Sequence, residues 1–220
     1  MAYEETLAAF RRGDDGTALR LAQEDVARAR AADDAAGQVD GLCMLARIAL
    51  RQGDLDALAA RAQEAEQSAR SSGSRRLLRM PLHLRAVAAR MQGRFDEGRE
   101  LYLASIALND ELGELAMAAA EHRNLAYLEI HAGNVERARE LFAAAAARCA
   151  GLAVPGLEPY LTFDGATLAA LDGDYQTAAA RLRDAEAQWA EHGVVPDPDD
   201  AAELAALRRQ IAAAGAPPPG

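Results

Sequence analysis

The chain has 220 residues, enough for one or two domains with a sizeable core, and half of it is nominally hydrophobic. Of these residues 55 are alanine, whereas Val, Ile and Thr together number only 16, so β-rich folds are excluded and an all-α fold is expected. The formal net charge is −10 and all 24 basic residues are arginine, a balance that argues against general nucleic-acid binding, which needs a clustered basic surface.

At the start, Glu4 and Glu5 stand where a secretory leader carries positive charge, and no apolar run approaches the ~18 residues of a membrane span. The expected location is the cytoplasm, away from membranes, and the alanine and arginine bias is that of a GC-rich bacterial genome. Cys43 and Cys149 lie far apart with no metal-ligand spacing, so both are expected as buried small hydrophobes in a reducing compartment.

Along the chain a glycine recurs at 13, 53, 93, 133 and 173, a period of 40 residues. Midway between successive members fall Asp33, Gly73, Gly113, Ala153 and Gly193, where polar, Gly or Pro residues gather. Each unit therefore splits into two helices of roughly 15–18 residues, about 25 Å long, closed by turns. Glycine suits the left-handed conformation that ends a helix, and an Asp or Asn after it caps the next one. The first hairpin starts with a shortened helix, Ala2 to Arg12. The fifth carries Gly165 inside its first helix and is the least regular. Hairpins thus fill residues 1–193, followed by a proline-rich break at 194–198, a single amphipathic helix at 199–214 with Leu204, Leu207 and Ile211 at helical spacing, and a disordered tail at 215–220. That helix is expected to cap the open end of the stack, over a core that includes Trp189.

Aligned on the recurring glycine, the position seven before it reads Thr6, Ala46, Ala86, Ala126, Ala166, and the position five after it reads Ala18, Leu58, Gly98, Ala138, Ala178. Nine after it stand Ala22, Ala62, Tyr102, Phe142 and Leu182. Small residues at a crossing, followed by a larger one a turn later, let two helices approach closely. This pattern resembles the tetratricopeptide repeat, best in the copy from Leu125 to Phe142. The 40-residue unit is similar to the longer-helix variety of kinesin light chains and maltose-activator-like bacterial regulators. The resemblance implies a right-handed α-solenoid of five hairpins plus a C-terminal capping helix, with the first helix of each hairpin lining a concave groove.

Signatures of chemistry are missing from the sequence: it has no phosphate-binding loop, no Gly-x-Gly-x-x-Gly, no Cys-x-x-Cys and no His-Glu-x-x-His. The acid pairs Asp14-Asp15, Asp33-Asp34 and Asp199-Asp200 sit at expected helix starts, where they complement the helix dipole. His122 and His131 are nine apart, which does not bring two imidazoles to one side of a helix. No enzyme activity, cofactor or metal is expected.

What remains is the groove. Positions ten, six and two before each glycine form a stripe on the first helices: Cys43, His83, Arg123, Phe163; Leu7, Arg47, Val87, Tyr127, Thr167; Arg11, Arg51, Met91, His131, Leu171. None is acidic in a chain with 34 acids, and four are Arg and two His. We expect Arg47, Arg51, His83, Arg123, Tyr127, His131 and Phe163 to cradle an acidic or carboxylate-ended segment, the arginines by their planar fork and the rings by burying apolar side chains. The competing expectation is that these arginines merely pair with glutamates on neighbouring helices. Asn124-Leu125-Ala126 resembles the Asn-Leu-Ala of kinesin light chains, which implies that Asn124 grips the backbone of a bound peptide. The expected function is a protein-interaction module for a protein or peptide partner; the alternatives are a ligand- or peptide-sensing regulatory domain in bacterial transcription control and an accessory protein of a biosynthetic pathway.

Overall fold

The computed structural model describes residues 2–150 and 157–215, and every regular element among them is helical. Two compact units divide the chain, Met1–Gly113 and Glu114–Gly220. The first holds α1 (Ala2–Arg11), α2 (Asp15–Ala31), α3 (Ala35–Gln52), α4 (Leu55–Ser71), α5 (Arg79–Met91) and α6 (Phe95–Glu111). Within it each helix packs on the next, and α3 also touches α1 and α5. The second holds α7 (Leu115–His131), α8 (Val135–Cys149), α9 (Glu158–Leu171), α10 (Tyr175–His192) and α11 (Pro198–Ala213), with α7 on α8, α8 on α9, α9 on α10, and α11 against α9 and α10. The expected turn at Ala153 and the tail at 216–220 lie outside the described residues.

The turns obey one local rule. Gly13, Gly53, Gly93, Gly133 and Gly173 all have φ between 73° and 83°, in the left-handed region where a Cβ is strained. The next residue caps the following helix where it is aspartate: Asp14, Asp54 and Asp174 accept from the backbone N–H of Thr17, Ala57 and Thr177. Asn134 departs from the expected cap and donates its amide to Glu129 at 2.7 Å. Asp33 takes the midway position with φ 54° without glycine, and Asp34 after it caps α3 through Gly37 N–H.

One hairpin is irregular for a reason visible in its sequence. Pro81 stands three residues into α5; lacking an N–H, it cannot donate back one turn, and the chain enters α5 through a 3-10 turn at Arg75–Leu78.

The aligned small positions are the crossings. Thr6, Ala46, Ala86, Ala126 and Ala166 are all buried, as are Ala18, Leu58, Gly98, Ala138 and Ala178. The larger residues a turn on, Tyr102, Phe142 and Leu182, fill the space beside them. Gly165, the irregularity of the fifth hairpin, leaves room for Arg181 of α10, whose Nη1 donates to the Gly165 carbonyl at 3.1 Å.

Two predictions follow from this packing. A Cβ on Gly41 would lie 2.6 Å from Val26 Cγ2 and 3.3 Å from the Val26 backbone nitrogen, and a β-branched side chain cannot swing away. Gly41→Ala should therefore lower stability by about 1–2 kcal/mol despite the better helix propensity, while Gly16→Ala, in open space in the first turn of α2, should raise it by about 0.5–1 kcal/mol. Urea titration of both variants checks the opposite signs.

The second concerns pH. Glu66 on α4 is buried, which by itself would raise its pKa, but hydrogen bonds from Arg85 of α5 and from Arg70 outweigh burial and hold the carboxyl below its ordinary value. Its contribution to stability is present above the unfolded-state pKa and is lost as pH falls through the lower folded value. Wild-type stability should thus drop on acidification below the ordinary carboxylate range, and Glu66→Gln should be less stable at neutral pH yet show a shallower acid limb, measured by thermal melts from pH 7 to pH 3.

Candidate functional site

The acid-free stripe lies partly exposed in the first unit. Arg47 and Arg51 of α3 turn toward α1, their guanidinium carbons 4.7 Å and 3.6 Å from the centre of the Phe10 ring. Arg51 also donates to the Phe10 carbonyl at 2.9 Å and pairs with Asp15 at 2.8 Å. His83 of α5 is half-buried, and Val87 is buried. Cys43 is buried too, and burial pushes its thiol well up, away from nucleophilic use. Both arginines keep part of their surface in solvent, and the fork of Arg51 already holds chain groups.

In the second unit the stripe is buried at Arg123, Tyr127, Phe163 and Thr167, while His131 stays exposed. Arg123, Asn124, Tyr127 and Phe163 are 3%, 6%, 2% and 0% exposed, which corrects the expectation that they line an open groove. The physical reason is a charge pair that sequence periodicity did not reveal: Arg123 of α7 clamps Asp164 of α9 at two points, Nε–Oδ2 2.7 Å and Nη2–Oδ1 2.9 Å. Tyr127 donates to Asp164 at 3.2 Å and lies 3.3 Å from the Thr167 hydroxyl. Its ring meets Phe142 edge-on at 5.2 Å and stacks on Phe163 at 5.9 Å, and Phe163 continues to Trp189 at 5.6 Å. Burial alone would lower the Arg123 pKa, but Asp164 and Asp200 overcome it and hold the guanidinium charged, well above the ordinary arginine value.

Helix α11 completes this arrangement. From its first turns Asp200 comes within 3.7 Å of Arg123, and Glu203 lies 2.8 Å from Nε2 of His131. Further along, Arg208 donates to Glu186 of α10 at 3.0 Å and 2.6 Å. The helix thus reaches from α10 to the stripe side chains of α7, farther than a lid resting on the last hairpin alone. Its buried positions Asp199, Glu203, Leu207 and Ile211 recur every four residues, so one stripe begins acidic and ends aliphatic. Tyr160 of α9 lies under Arg123 at 4.7 Å, its hydroxyl pKa raised by burial and by Asp200 and Asp197.

Of the expected groove residues, Arg123 and Tyr127 meet at Asp164, Phe163 stacks on Tyr127, and His131 meets Glu203. Asp164, Asp200, Glu203 and Tyr160 are not among the residues that the sequence marks for the groove. A signal was present: Asp164 follows Arg123 by 41 residues, one repeat plus one, and replaces an apolar residue found at that place in Met44 and Leu84. Arg51 reaches the Phe10 carbonyl across the same interval. No group of three or more His, Cys, Asp or Glu suited to a metal ion exists among the described residues.

A buried pair of this kind penalises the loss of one partner more than the loss of both. Arg123→Met should cost about 3–5 kcal/mol by stranding Asp164, whereas Arg123→Met with Asp164→Leu should recover most of it. The tryptophan emission of Trp189, followed through urea unfolding, checks this.

No protein-family model matches the sequence, and no curated protein does either. Solved structures do match. BtubC (BKLC) from P. vanneervenii is 20% identical, with 89% of this chain and 81% of that one covered and a TM-score of 0.63. A Rap protein complexed with Competence and Sporulation Factor is 14% identical over 94% of this chain and 56% of that one, TM-score 0.74. A signal-transduction ATPase with numerous domains and a tetratricopeptide-repeat sensor, from Pyrococcus horikoshii, is 12% identical over 97% of this chain and 32% of that one, TM-score 0.70. The likenesses show an all-α helical-repeat fold of the kind found in tetratricopeptide-repeat proteins.

Proposed function

We propose that this chain is a protein-interaction module that takes an acidic peptide or helical segment of a partner protein on the face formed by its first helices, without catalysing a reaction. The observation that carries the reading is that such a segment is already seated there: α11 sets Asp200 beside Arg123 and Glu203 on His131. The corresponding face of the first unit, α3 and α5 with Arg47, Arg51 and His83, carries the same acid-free stripe with its cations partly exposed, and is where we place the external segment. Arginine forks and a half-buried imidazole suit carboxylates, and the buried Phe10 ring beneath the arginines helps to hold them in place.

The 40-residue unit reads as the long-helix variety of the tetratricopeptide repeat, and the cytoplasm as the place of work. No helix among the described residues is long and apolar enough to cross a membrane. A second reading, a sensing domain of a regulatory system, is supported by the likeness to a Rap protein complexed with a factor and to a protein with a repeat sensor. The two differ in output: a sensor hands its bound state on to an effector protein.

The test is capture of partners from the native host followed by mass spectrometry, with the full chain as bait. Arg47→Glu with His83→Glu should reduce recovery of the specific partner at least tenfold while helicity and Tm stay close to wild type. Arg99→Glu, on the outer helix α6 where it pairs with Asp96, should leave recovery within twofold. Equal recovery by all three proteins would place the interaction on another surface.

A further inference from the structure

The α11 contact has two features that a plain end cap does not require. A cap needs an apolar side toward the last hairpin and a polar side toward water. Here the buried stripe is apolar only in its second half, at Leu207 and Ile211, and Leu204 beside it is buried as well; its first half is Asp199 and Glu203, both buried, with Asp200 beside them. The acidic half also lies on α7, not only on the last hairpin, with Asp200 near Arg123 and Glu203 against the His131 ring, both on the stripe that the sequence marks as acid-free.

The contacts divide in strength along the same line. Arg123 is fully engaged by Asp164 at two points, and Asp200 approaches it only to 3.7 Å. The Arg123–Asp164 clamp is complete without α11. Glu203 meets His131, whose side chain is 41% exposed, and Arg208 meets Glu186 with a side chain 50% exposed. The links from Glu203 and Arg208 thus run to the partly exposed rim, and breaking them leaves the Arg123–Asp164 pair in place. The connection to α10 runs through Val194–Asp197, four residues without regular structure, with Val195 exposed.

We propose that the α7–α9 face is a binding site for an acidic amphipathic helix, that α11 is its resident occupant, and that a partner helix with acids in its first turns and aliphatic residues four and eight positions on displaces it. This deepens the interaction reading and rests on it. Occupation from within sets a threshold: an external helix competes with a tethered one at high effective concentration, so only a well-matched or multiply attached partner opens the site.

The test uses the full chain and a fluorescein-labelled synthetic peptide of residues 197–213 as probe. Asp200→Lys with Glu203→Lys removes the two acids that face Arg123 and His131, sets a like charge beside Arg123, and leaves Leu204, Leu207 and Ile211 in place. By fluorescence anisotropy the peptide should bind this variant at least tenfold more tightly than wild type, and adding His131→Glu should reverse at least half of that gain. A peptide carrying the same two lysines should bind neither. Equal affinity of the peptide for wild type and the double variant, with circular dichroism and Tm showing both folded, would overturn the proposal. Should the double variant fail to fold, hydrogen exchange on wild type decides: α11 amides at least tenfold less protected than those of α9 and α10 support an opening helix, and equal protection overturns it. Light scattering that shows a dimer exchanging α11 between copies would make the competitor a second copy and overturn the partner assignment. If the peptide binds the double variant but no native partner is captured, this inference stands and the interaction reading falls; if wild type and the double variant capture a partner equally, the reverse holds.

Discussion

Everything in this fold depends on how closely two helices can approach at the alanine seven positions before each turn glycine. A methyl group or hydroxyl stands there, and a small residue five after the glycine in four of the five copies, all of them buried where the helices of a hairpin pack. Larger side chains are then confined to the flanks, where Tyr102, Phe142 and Leu182 fill what remains. A chain so rich in alanine buries modest apolar area per residue, so density at the crossings, more than bulk, supplies the packing. The same constraint explains why Gly41 sits where Val26 presses on α3.

That constraint was legible in the sequence because it repeats. Position by position, Ala46, Ala86, Ala126 and Ala166 say the same thing, and the left-handed glycines at 53, 93, 133 and 173 punctuate it. Asp14, Asp54 and Asp174 were legible as caps for the same local reason, while Asn134 was not, since Glu129 in the preceding helix offers its amide a carboxylate. The 3-10 entry to α5 follows from Pro81, a single residue outside the periodic frame.

The candidate site was half legible. Its arginines, imidazoles and rings stood out as a stripe, but their partners are Asp164, 41 residues beyond Arg123, and Glu203, 72 residues beyond His131. Such pairings have no period to announce them. The competing expectation names glutamates on neighbouring helices as partners of the stripe arginines; the acids beside Arg51 and Arg123 are aspartates, Asp15, Asp164 and Asp200, the last on the segment expected only as a cap. The acidic end of α11 looked like ordinary dipole compensation, and helix-start acids do serve that purpose at Asp14 and Asp34. At Asp200, in the first turn of α11, the same residue type has a long-range role as well.

The single tryptophan has a consequence for how this molecule is observed. Trp189 lies in the unit Glu114–Gly220, packed on Tyr160 and Phe163, while helices are spread over both units. Its emission is therefore a local witness, whereas far-ultraviolet circular dichroism polls the whole chain. In a stack of repeats, where each hairpin leans mainly on its neighbours, cooperativity is a matter of degree. Coincidence of the two signals on denaturation would mean that the boundary after Gly113 transmits collapse from one half to the other; a lag between them would measure, without any added label, how independently each half lives.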